Sequence, residues 1–237
     1  MKPSKQDFLN QCRENIIIGV VQALAKSKAG SQIAFKGGTA LKLFYDLPRY
    51  SEDVDYDILP GVFDEELLDV ITRLFKKQKW EITDQALKYY TLLFELRFAG
   101  IGRNFRLKIE ISTREKQFDT AILSLRGVPV LTLEPSFLMT EKLFTFIERE
   151  TGRDIFDAWF ILNNAYTLNE WMIQKTFRDE RSFYQTILKR IEKADPRKIS
   201  RHTGKLLGPD YRNWIKTSFL ADFNMLICRK IEALEVK

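Results

Sequence analysis

Two adjacent glycines, Gly37 and Gly38, stand between a short apolar segment and an alternating run of acids, and this order limits the possible folds of the 237-residue chain. Residues 33–35 predict a strand, and a helix is expected after the glycines. N–H groups at a helix start bind anions, and carboxylates bind divalent cations. The order of strand, glycine turn, helix and acidic strand therefore predicts a site for a triphosphate and its metal ions.

The acidic run, residues 52–59, alternates and predicts a strand ended by Pro60-Gly61. Residues two apart in a strand point the same way and lie about 7 Å apart, so Asp53, Asp55 and Asp57 share one face. Three anions on one face need positive charge to offset their repulsion, and two divalent ions would supply it. The alternative interpretation is the solvent-exposed face of an edge strand.

A third carboxylate for such a metal site is expected from a neighbouring strand. Residues 104–112 alternate between apolar and polar side chains and place Glu110 opposite the apolar set. Arg106 and Lys108 share the face of Glu110. The sequence therefore leaves two interpretations of Glu110, a metal ligand or a partner in a surface salt bridge.

The remaining pattern predicts a small α/β domain over residues 1–134 and a helical domain over residues 135–237, an α+β fold. In the first domain we expect further strands at 88–98 and 128–133, a hairpin turn around residues 99–102, and helices at 7–28, 40–47 and 64–77, with Thr39 capping the second helix. In the second domain we expect helices at 136–149, 153–165, 168–178, 180–193 and 210–233.

Charge is distributed unevenly along the chain. The net charge is +6; residues 175–237 hold 15 Lys or Arg against 8 Asp or Glu, a net of +7, and the remainder holds 23 against 24. A basic C-terminal block favours a polyanionic partner such as nucleic acid. The alternative is an ordinary solvated helical surface.

Several classes of protein are excluded at this stage. No apolar run approaches the roughly 20 residues that span a bilayer, and the polar N-terminus does not resemble a signal peptide, so we expect a cytoplasmic protein without membrane contact. Cys12 and Cys228 predict small buried apolar side chains. His202 is the only histidine and is expected in an exposed basic loop, which argues against zinc held by Cys and His.

A second block of charged residues lies near the start of the helical domain. Lys142 and Arg149 are seven residues apart and share a helical face. Asp154 and Asp157 are three apart and also share a face. Helix caps and surface ion pairs would explain these positions without any function.

The paired glycines and the acids together resemble the AbiEii-type nucleotidyltransferase toxins, a group that includes the MenT toxins. The resemblance extends over about residues 33–165. It is carried by the motifs Lys36-Gly37-Gly38-Thr39-Ala40-Leu41, Arg49-x-Ser51-x-Asp53-x-Asp55, Met139-Thr140-Glu141-Lys142-Leu143 and Gly152-Arg153-Asp154-Ile155-Phe156-Asp157.

The resemblance implies a fold like that of the DNA polymerase β nucleotidyltransferase core, and it implies roles for named residues. Asp53 and Asp55 would hold Mg²⁺ or Mn²⁺, with Glu110 as the third acid. Lys142 would bind phosphate or neutralise the transition state, and Asp154, with Asp157, matches a late acidic residue of the family. The residues implied to bind the nucleotide are Lys36, Gly37, Gly38, Thr39, Ser51 and Lys142.

The resemblance also implies an activity and partners. The protein would act as the toxin of a toxin–antitoxin pair and move a nucleotide from an NTP onto an acceptor, with the 3′ hydroxyl of tRNA expected. A cognate antitoxin protein is the implied partner. Two alternatives remain at this stage: transfer to a protein hydroxyl, and a non-catalytic nucleotide- or RNA-binding module of the same fold.

Overall fold

The computed structural model describes residues 5–100, 104–149 and 151–235. The chain forms two compact units, Met1–Glu134 and Pro135–Lys237. We call them the N-terminal unit and the C-terminal unit. Within the described residues, none of the helices has the length and apolar character needed to cross a bilayer.

In its described residues, the N-terminal unit combines three α-helices and a short 3₁₀ turn (Lys28–Ser31) with strands that form one sheet. Its elements in chain order are α1 (Lys5–Ala25), β1 (Ile33–Lys36), α2 (Gly37–Tyr45), β2 (Asp53–Ile58), α3 (Asp64–Lys77), β3 (Glu81–Lys88), β4 (Thr91–Phe98), β5 (Phe105–Ser112), β6 (Thr120–Leu125) and β7 (Val128–Leu133).

The sheet is mixed, and its described strands lie in the order β3-β4-β5-β2-β1-β7-β6. Strand β2 pairs antiparallel with β1 and parallel with β5, and β1 pairs parallel with β7. The acidic strand β2 is therefore interior to the sheet, and the edge-strand interpretation of its alternating acids is wrong. Residues Val54 and Tyr56 of β2 are buried.

Apolar periodicity explains the packing of this unit. In α1 the buried positions recur at helical spacing, and α1 packs against β7. In β5 every second residue from Phe105 to Ile111 is buried. Burial of the side chains on one face fixes the register of β5, because a slip by one residue would expose all of them.

The C-terminal unit is helical throughout its described part. Its helices are α4 (Pro135–Glu148), α5 (Gly152–Asn163), α6 (Glu170–Thr176), α7 (Glu180–Glu192), α8 (Pro196–Thr203), α9 (Pro209–Thr217) and α10 (Phe219–Ala233). Aromatic rings fill its core: Phe146, Phe156, Phe183, Phe219 and Phe223 are almost fully buried. The Phe-rich segments of α4 and α5 thus supply packing.

The structure corrects several expected boundaries. Edge strands β3 and β6 and the short helix α8 are additional to the predicted elements, and the single helix expected at 210–233 is broken at Ser218 into α9 and α10. Strands β4 and β5 form the predicted hairpin, but part of the turn expected around residues 99–102 lies outside the described residues. Helix α2 begins at Gly37, so Thr39 does not cap it.

Candidate functional site

The paired glycines form the junction at which β1 ends and α2 begins. Gly37 has a φ of +80°, in the left-handed region that glycine enters without strain. Lys36 precedes it in the cap position with an extended backbone. The first N–H groups of a helix have no acceptor within the helix, so the start of α2 offers donors to an anion.

The carboxylate of Asp55 lies directly against Gly37. A Cβ atom added to Gly37 would collide with Asp55 Oδ2, and Lys36 and Asp55 are register partners across β1 and β2. Position 37 therefore needs glycine for two reasons, its positive φ and the space taken by this carboxylate. The start of the helix and an anionic side chain are thus in contact, and carboxylate oxygens are ligands of divalent cations.

Thr39 connects the same helix to the first acid of β2. Its hydroxyl donates a hydrogen bond to the backbone carbonyl of Asp53, and the residue is buried. The Thr39 side chain therefore anchors the start of β2 beside α2. The backbone N–H of Thr39 lies in the first turn of α2, where N–H groups have no acceptor within the helix.

Glu110 lies opposite Asp55 across the parallel pair β2–β5. The predicted adjacency of these two acids is confirmed. Glu110 also accepts an ion pair from Lys108, with 2.9 Å between Nζ and Oε1, while Arg106 pairs with Glu95. The salt-bridge interpretation of Glu110 thus describes the structure as it stands, and its role as a metal ligand stays a prediction.

The described part of the chain does not contain a preformed cluster of metal-ligating side chains. Across residues 5–100, 104–149 and 151–235, no three His, Cys, Asp or Glu side chains are grouped closely enough to hold a metal ion. Asp53 and Asp55 alternate with buried residues and are both partly exposed on β2. Two carboxylates supply a minimal set of hard oxygen ligands, of the kind that Mg²⁺ combines with substrate phosphates.

Asp57, the third acid of β2, is offset by lysines. It is 1% exposed, and its Oδ1 and Oδ2 lie 2.8 Å from Lys36 Nζ and 2.5 Å from Lys116 Nζ. These contacts have the distance of ion pairs but not the angles of hydrogen bonds. The sequence predicted that positive charge would offset the acids on this face. At Asp57 two lysine side chains supply that charge, and nothing in the sequence indicated that Lys116 would be one of them.

Arg49 is a site residue that the sequence motif contained but to which we assigned no role. It is 3% exposed, its Nη1 donates to the carbonyl of Tyr50 at 3.0 Å, and its Nη2 occupies the space that a Cβ of Gly38 would need. A buried guanidinium thus lies at the second glycine of α2. Ser51, two residues further on, is partly exposed in the irregular segment before β2.

Tyr56 projects between the acids of β2 into the core. Its ring packs 5.2 Å from that of Phe35, and its hydroxyl is buried without a hydrogen-bond partner among the described residues. Burial raises the pKa of the Tyr56 phenol well above its usual value. The phenol is therefore neutral at physiological pH and inaccessible to a ligand.

The second charged block forms a buried ion-pair network in the C-terminal unit. Lys142 Nζ lies 3.2 Å from Asp154 Oδ1 and 2.9 Å from Asp157 Oδ2. All three residues are buried. The two helical faces predicted from spacing do meet, but these are core charges, so the interpretation as surface ion pairs is wrong for them.

Asp154 receives further contacts at the start of α5. Arg149 Nε lies 3.0 Å from Asp154 Oδ2, and the Thr151 hydroxyl donates to the same oxygen at 2.5 Å. The Thr151 oxygen also caps α5 by accepting from the Asp154 N–H. The Lys142 ammonium is therefore held by acids that are themselves fixed by α5.

Helix α8 packs closely on the start of α5. His202 Nδ1 accepts a hydrogen bond from the Gly152 N–H at 3.0 Å, and a Cβ on Gly152 would lie 2.6 Å from Ile199 Cα. His202 is exposed, as expected, but it belongs to α8 and not to a loop.

The mixed sheet and the glycine–carboxylate junction define a nucleotidyltransferase-like fold, and solved structures agree. One similar structure is JHP933 from Helicobacter pylori, 19% identical with a TM-score of 0.60, covering 98% of this chain and 96% of that chain. A second is a putative nucleotidyltransferase from H. pylori, 20% identical with a TM-score of 0.59, covering 98% of this chain and 99% of that chain. At these identities the likeness establishes the fold.

The family follows from the sequence as a whole. A family model described as nucleotidyl transferase AbiEii toxin, type IV toxin–antitoxin system, matches residues 20–224. The chain therefore belongs to the AbiEii nucleotidyltransferase toxin family, and the resemblance seen in its motifs is confirmed. No curated protein sequence matches the chain significantly.

Proposed function

We propose that this protein is a metal-dependent nucleotidyltransferase that moves a nucleotide from an NTP onto the 3′ hydroxyl of tRNA. The observation that carries the proposal is the contact between the Asp55 carboxylate and Gly37 at the start of α2. It brings an anion-binding helix terminus and an acid into contact, which suits a triphosphate bound together with its cations.

The triphosphate would bind at the start of α2. Backbone N–H groups of Gly37, Gly38 and Thr39 lie in its first turn, where the helix dipole also favours an anion. Lys36 stands beside them, held by the buried Asp57. Ser51, in the segment before β2, completes the set proposed for the nucleotide.

Asp53 and Asp55 would hold Mg²⁺ or Mn²⁺, with Glu110 joining when its ion pair to Lys108 opens. When bound, these ions lower the pKa of the attacking hydroxyl and hold the triphosphate and its leaving group. The described chain supplies two partly exposed acids but no clustered set of three ligands. Oxygen atoms of the nucleotide would therefore complete the coordination, and metal binding should depend on the NTP.

Lys142 and Asp154 are proposed to act as a pair. The ammonium of Lys142 is held between Asp154 and Asp157, which fixes its position. A fixed positive charge stabilises charge that develops during phosphoryl transfer. This role comes from the family resemblance and is a proposal for this chain.

The acceptor and the partner are proposed on charge and family. Residues 175–237 carry a net charge of +7, which suits a polyanion such as tRNA. Membership of a toxin–antitoxin family implies an antitoxin protein that neutralises the chain.

Incubation of the full chain with each labelled NTP and total tRNA, with and without a chelator of divalent cations, tests the proposal. We expect label in RNA with at least one NTP and none in the presence of chelator. The tRNA proposal fails if label never enters RNA while a control nucleotidyltransferase succeeds. Label that resists RNase but not protease would instead identify a protein acceptor, and toxicity that survives Asp55→Ala would identify a non-catalytic binding module.

A further inference from the structure

A basic depression on the C-terminal unit lies within the basic block of residues 175–237 and contains none of the individual site residues named above. It has a volume of about 400 Å³ and is lined by Pro196, Arg197, Ser200, Arg201 and Lys216. Three of these five residues are cations, and none is acidic. Arg197 and Arg201 lie four residues apart on α8, and Lys216 comes from α9.

The surface is built on firmly packed helices. Ile199 and Thr203 anchor α8 on the side opposite the arginines, and Ile215 anchors α9 next to Lys216. The backbone of α8 lies against Gly152, too close for any added side-chain atom. The cations are therefore presented from a fixed scaffold, so that binding a ligand requires ordering only of side chains.

Helix α8 carries more positive than negative charge. Like charges four residues apart on a helix repel each other, and α8 contains no Asp or Glu within Pro196–Thr203, so that its nearest acid in the sequence is the N-cap Asp195. Arg181, another exposed arginine of this unit, pairs with Glu235 at 2.6 Å. A bound polyanion would supply the missing negative charge.

We propose that Arg197, Ser200, Arg201 and Lys216 form a surface that binds the phosphodiester backbone of the acceptor RNA; this inference rests on the function proposed above. Phosphate groups are contacted chiefly by Arg, Lys and hydroxyl side chains, the types found here. A protein partner would be expected to bury aromatic or aliphatic side chains, and Pro196 is the one apolar residue of the lining.

The surface is tied to the start of α5 through one residue of α8. His202, adjacent to Arg201, accepts a hydrogen bond from Gly152, two residues before Asp154. RNA held on α8 would thus contact the same helix that fixes the α5 terminus.

The depression would bind backbone phosphates without reading bases, because its lining residues include no aromatic side chain on which a base could stack.

The test is binding of fluorescent tRNA to the full chain, measured by anisotropy over a series of salt concentrations without NTP or divalent cation. The test variant, which we call the α8–α9 variant, is Arg197→Gln/Arg201→Gln/Lys216→Gln. The matched control, Arg73→Gln/Lys76→Gln/Lys77→Gln, removes the same charge from exposed cations of α3. Thermal melts establish that both are folded, and the single variant Arg201→Gln provides a milder change at the same surface.

We expect the α8–α9 variant to bind at least about tenfold more weakly near physiological salt, and its slope of log affinity against log salt to fall by about two, since each lost phosphate contact removes roughly 0.7–0.9. The α3 control should stay within about threefold of the unmodified chain, retaining its slope. The inference is overturned if the α8–α9 variant binds tRNA with the same affinity and the same salt slope as the unmodified chain. If that variant keeps its tRNA binding but, unlike the α3 control, loses binding to polyglutamate, the inference is also overturned, and the surface is a site for an acidic protein. The binding assay contains neither NTP nor divalent cation and measures no nucleotide transfer. Its result can therefore be distinguished from a failure of the proposed catalytic function.

Discussion

The carboxylate of Asp55 packs against the Cα atom of Gly37, in the space where any other residue would place its Cβ. This contact joins the helix start that offers N–H donors to the strand that offers acids. It also explains why a residue without a side chain stands at this position, and it makes Gly37 the most informative site for a conservative substitution.

Gly37→Ala should abolish nucleotide transfer, because the added methyl displaces the Asp55 carboxylate and strains a backbone with a φ of +80°. The matched control is Gly127→Ala, where φ is +83° and the added atom meets open space. Both variants should lose about 1 kcal/mol or more of unfolding free energy from backbone strain. Nucleotide-transfer assays and urea denaturation of both variants separate the loss of activity from the loss of stability. Equal transfer activity in the two variants would contradict the proposal that Gly37 makes room for the Asp55 carboxylate.

Lys142→Ala should strongly lower the free energy of unfolding, because it leaves Asp154 and Asp157 buried without the cation that they share. Breaking one partner of a buried ion pair costs about 3–5 kcal/mol. Arg149, whose side chain is 63% exposed, gives the comparison: Arg149→Ala should cost less than about 1 kcal/mol. Chemical denaturation of both variants measures this, and a Lys142→Ala protein as stable as the parent would show that the network is not structural.

Much of the site geometry followed from spacing. The alternation of residues 52–59 predicted the shared face of Asp53 and Asp55, and the alternation of residues 104–112 predicted that Glu110 would lie on the face opposite the buried apolar side chains. Both patterns are strong because each strand is interior and buries its other residues. Periodicity reports burial, so the interior strands are the ones it identifies.

What the sequence did not predict depends on long-range contacts or on weak periodicity. Edge strand β3 buries none of its eight residues fully, and in α8 only Ile199 and Thr203 are buried, so neither shows a clear apolar pattern. The pairing of Asp57 with Lys116 joins strand β2 to the segment between β5 and β6, far apart in sequence. Such a contact depends on β5 lying beside β2 in the sheet, and the order of strands in a sheet is not encoded in the pattern of either strand alone.

Gly152→Ala should destabilise the packing of α5 on α8, because its methyl would lie 2.6 Å from Ile199 Cα, a backbone atom with little freedom to move. Overpacking of this kind costs about 1–3 kcal/mol. The control Gly19→Ala lies in the middle of α1 with nothing within 4 Å of the added atom, and it should stabilise the protein by about 0.5–1 kcal/mol. Thermal melts measure both changes. A lower melting temperature for Gly152→Ala and a higher one for Gly19→Ala would support the contact, whereas a higher melting temperature for both variants would contradict it.

Tyr56→Phe should raise the unfolding free energy by about 1–2 kcal/mol, since it removes a buried hydroxyl without a partner among the described residues. Burial raises the pKa of this phenol, so its neutral form contributes stability that is complete below the unfolded pKa of about 10 and declines as the pH rises further. The advantage of the variant should therefore widen above about pH 10. Urea unfolding on both sides of that pH checks the prediction, and a gap that narrows there would contradict it.

The most direct test of the acidic site is the rate at which Asp55→Asn transfers label from NTP to tRNA, compared with Asp69→Asn, an exposed acid on α3. Loss of a metal-holding carboxylate removes several kcal/mol of charge stabilisation, so we expect a fall of at least about 100-fold for Asp55→Asn. Asp69→Asn should remain within about twofold of the parent, since surface changes away from a site act weakly. Transfer by Asp55→Asn at the parental rate would contradict the account.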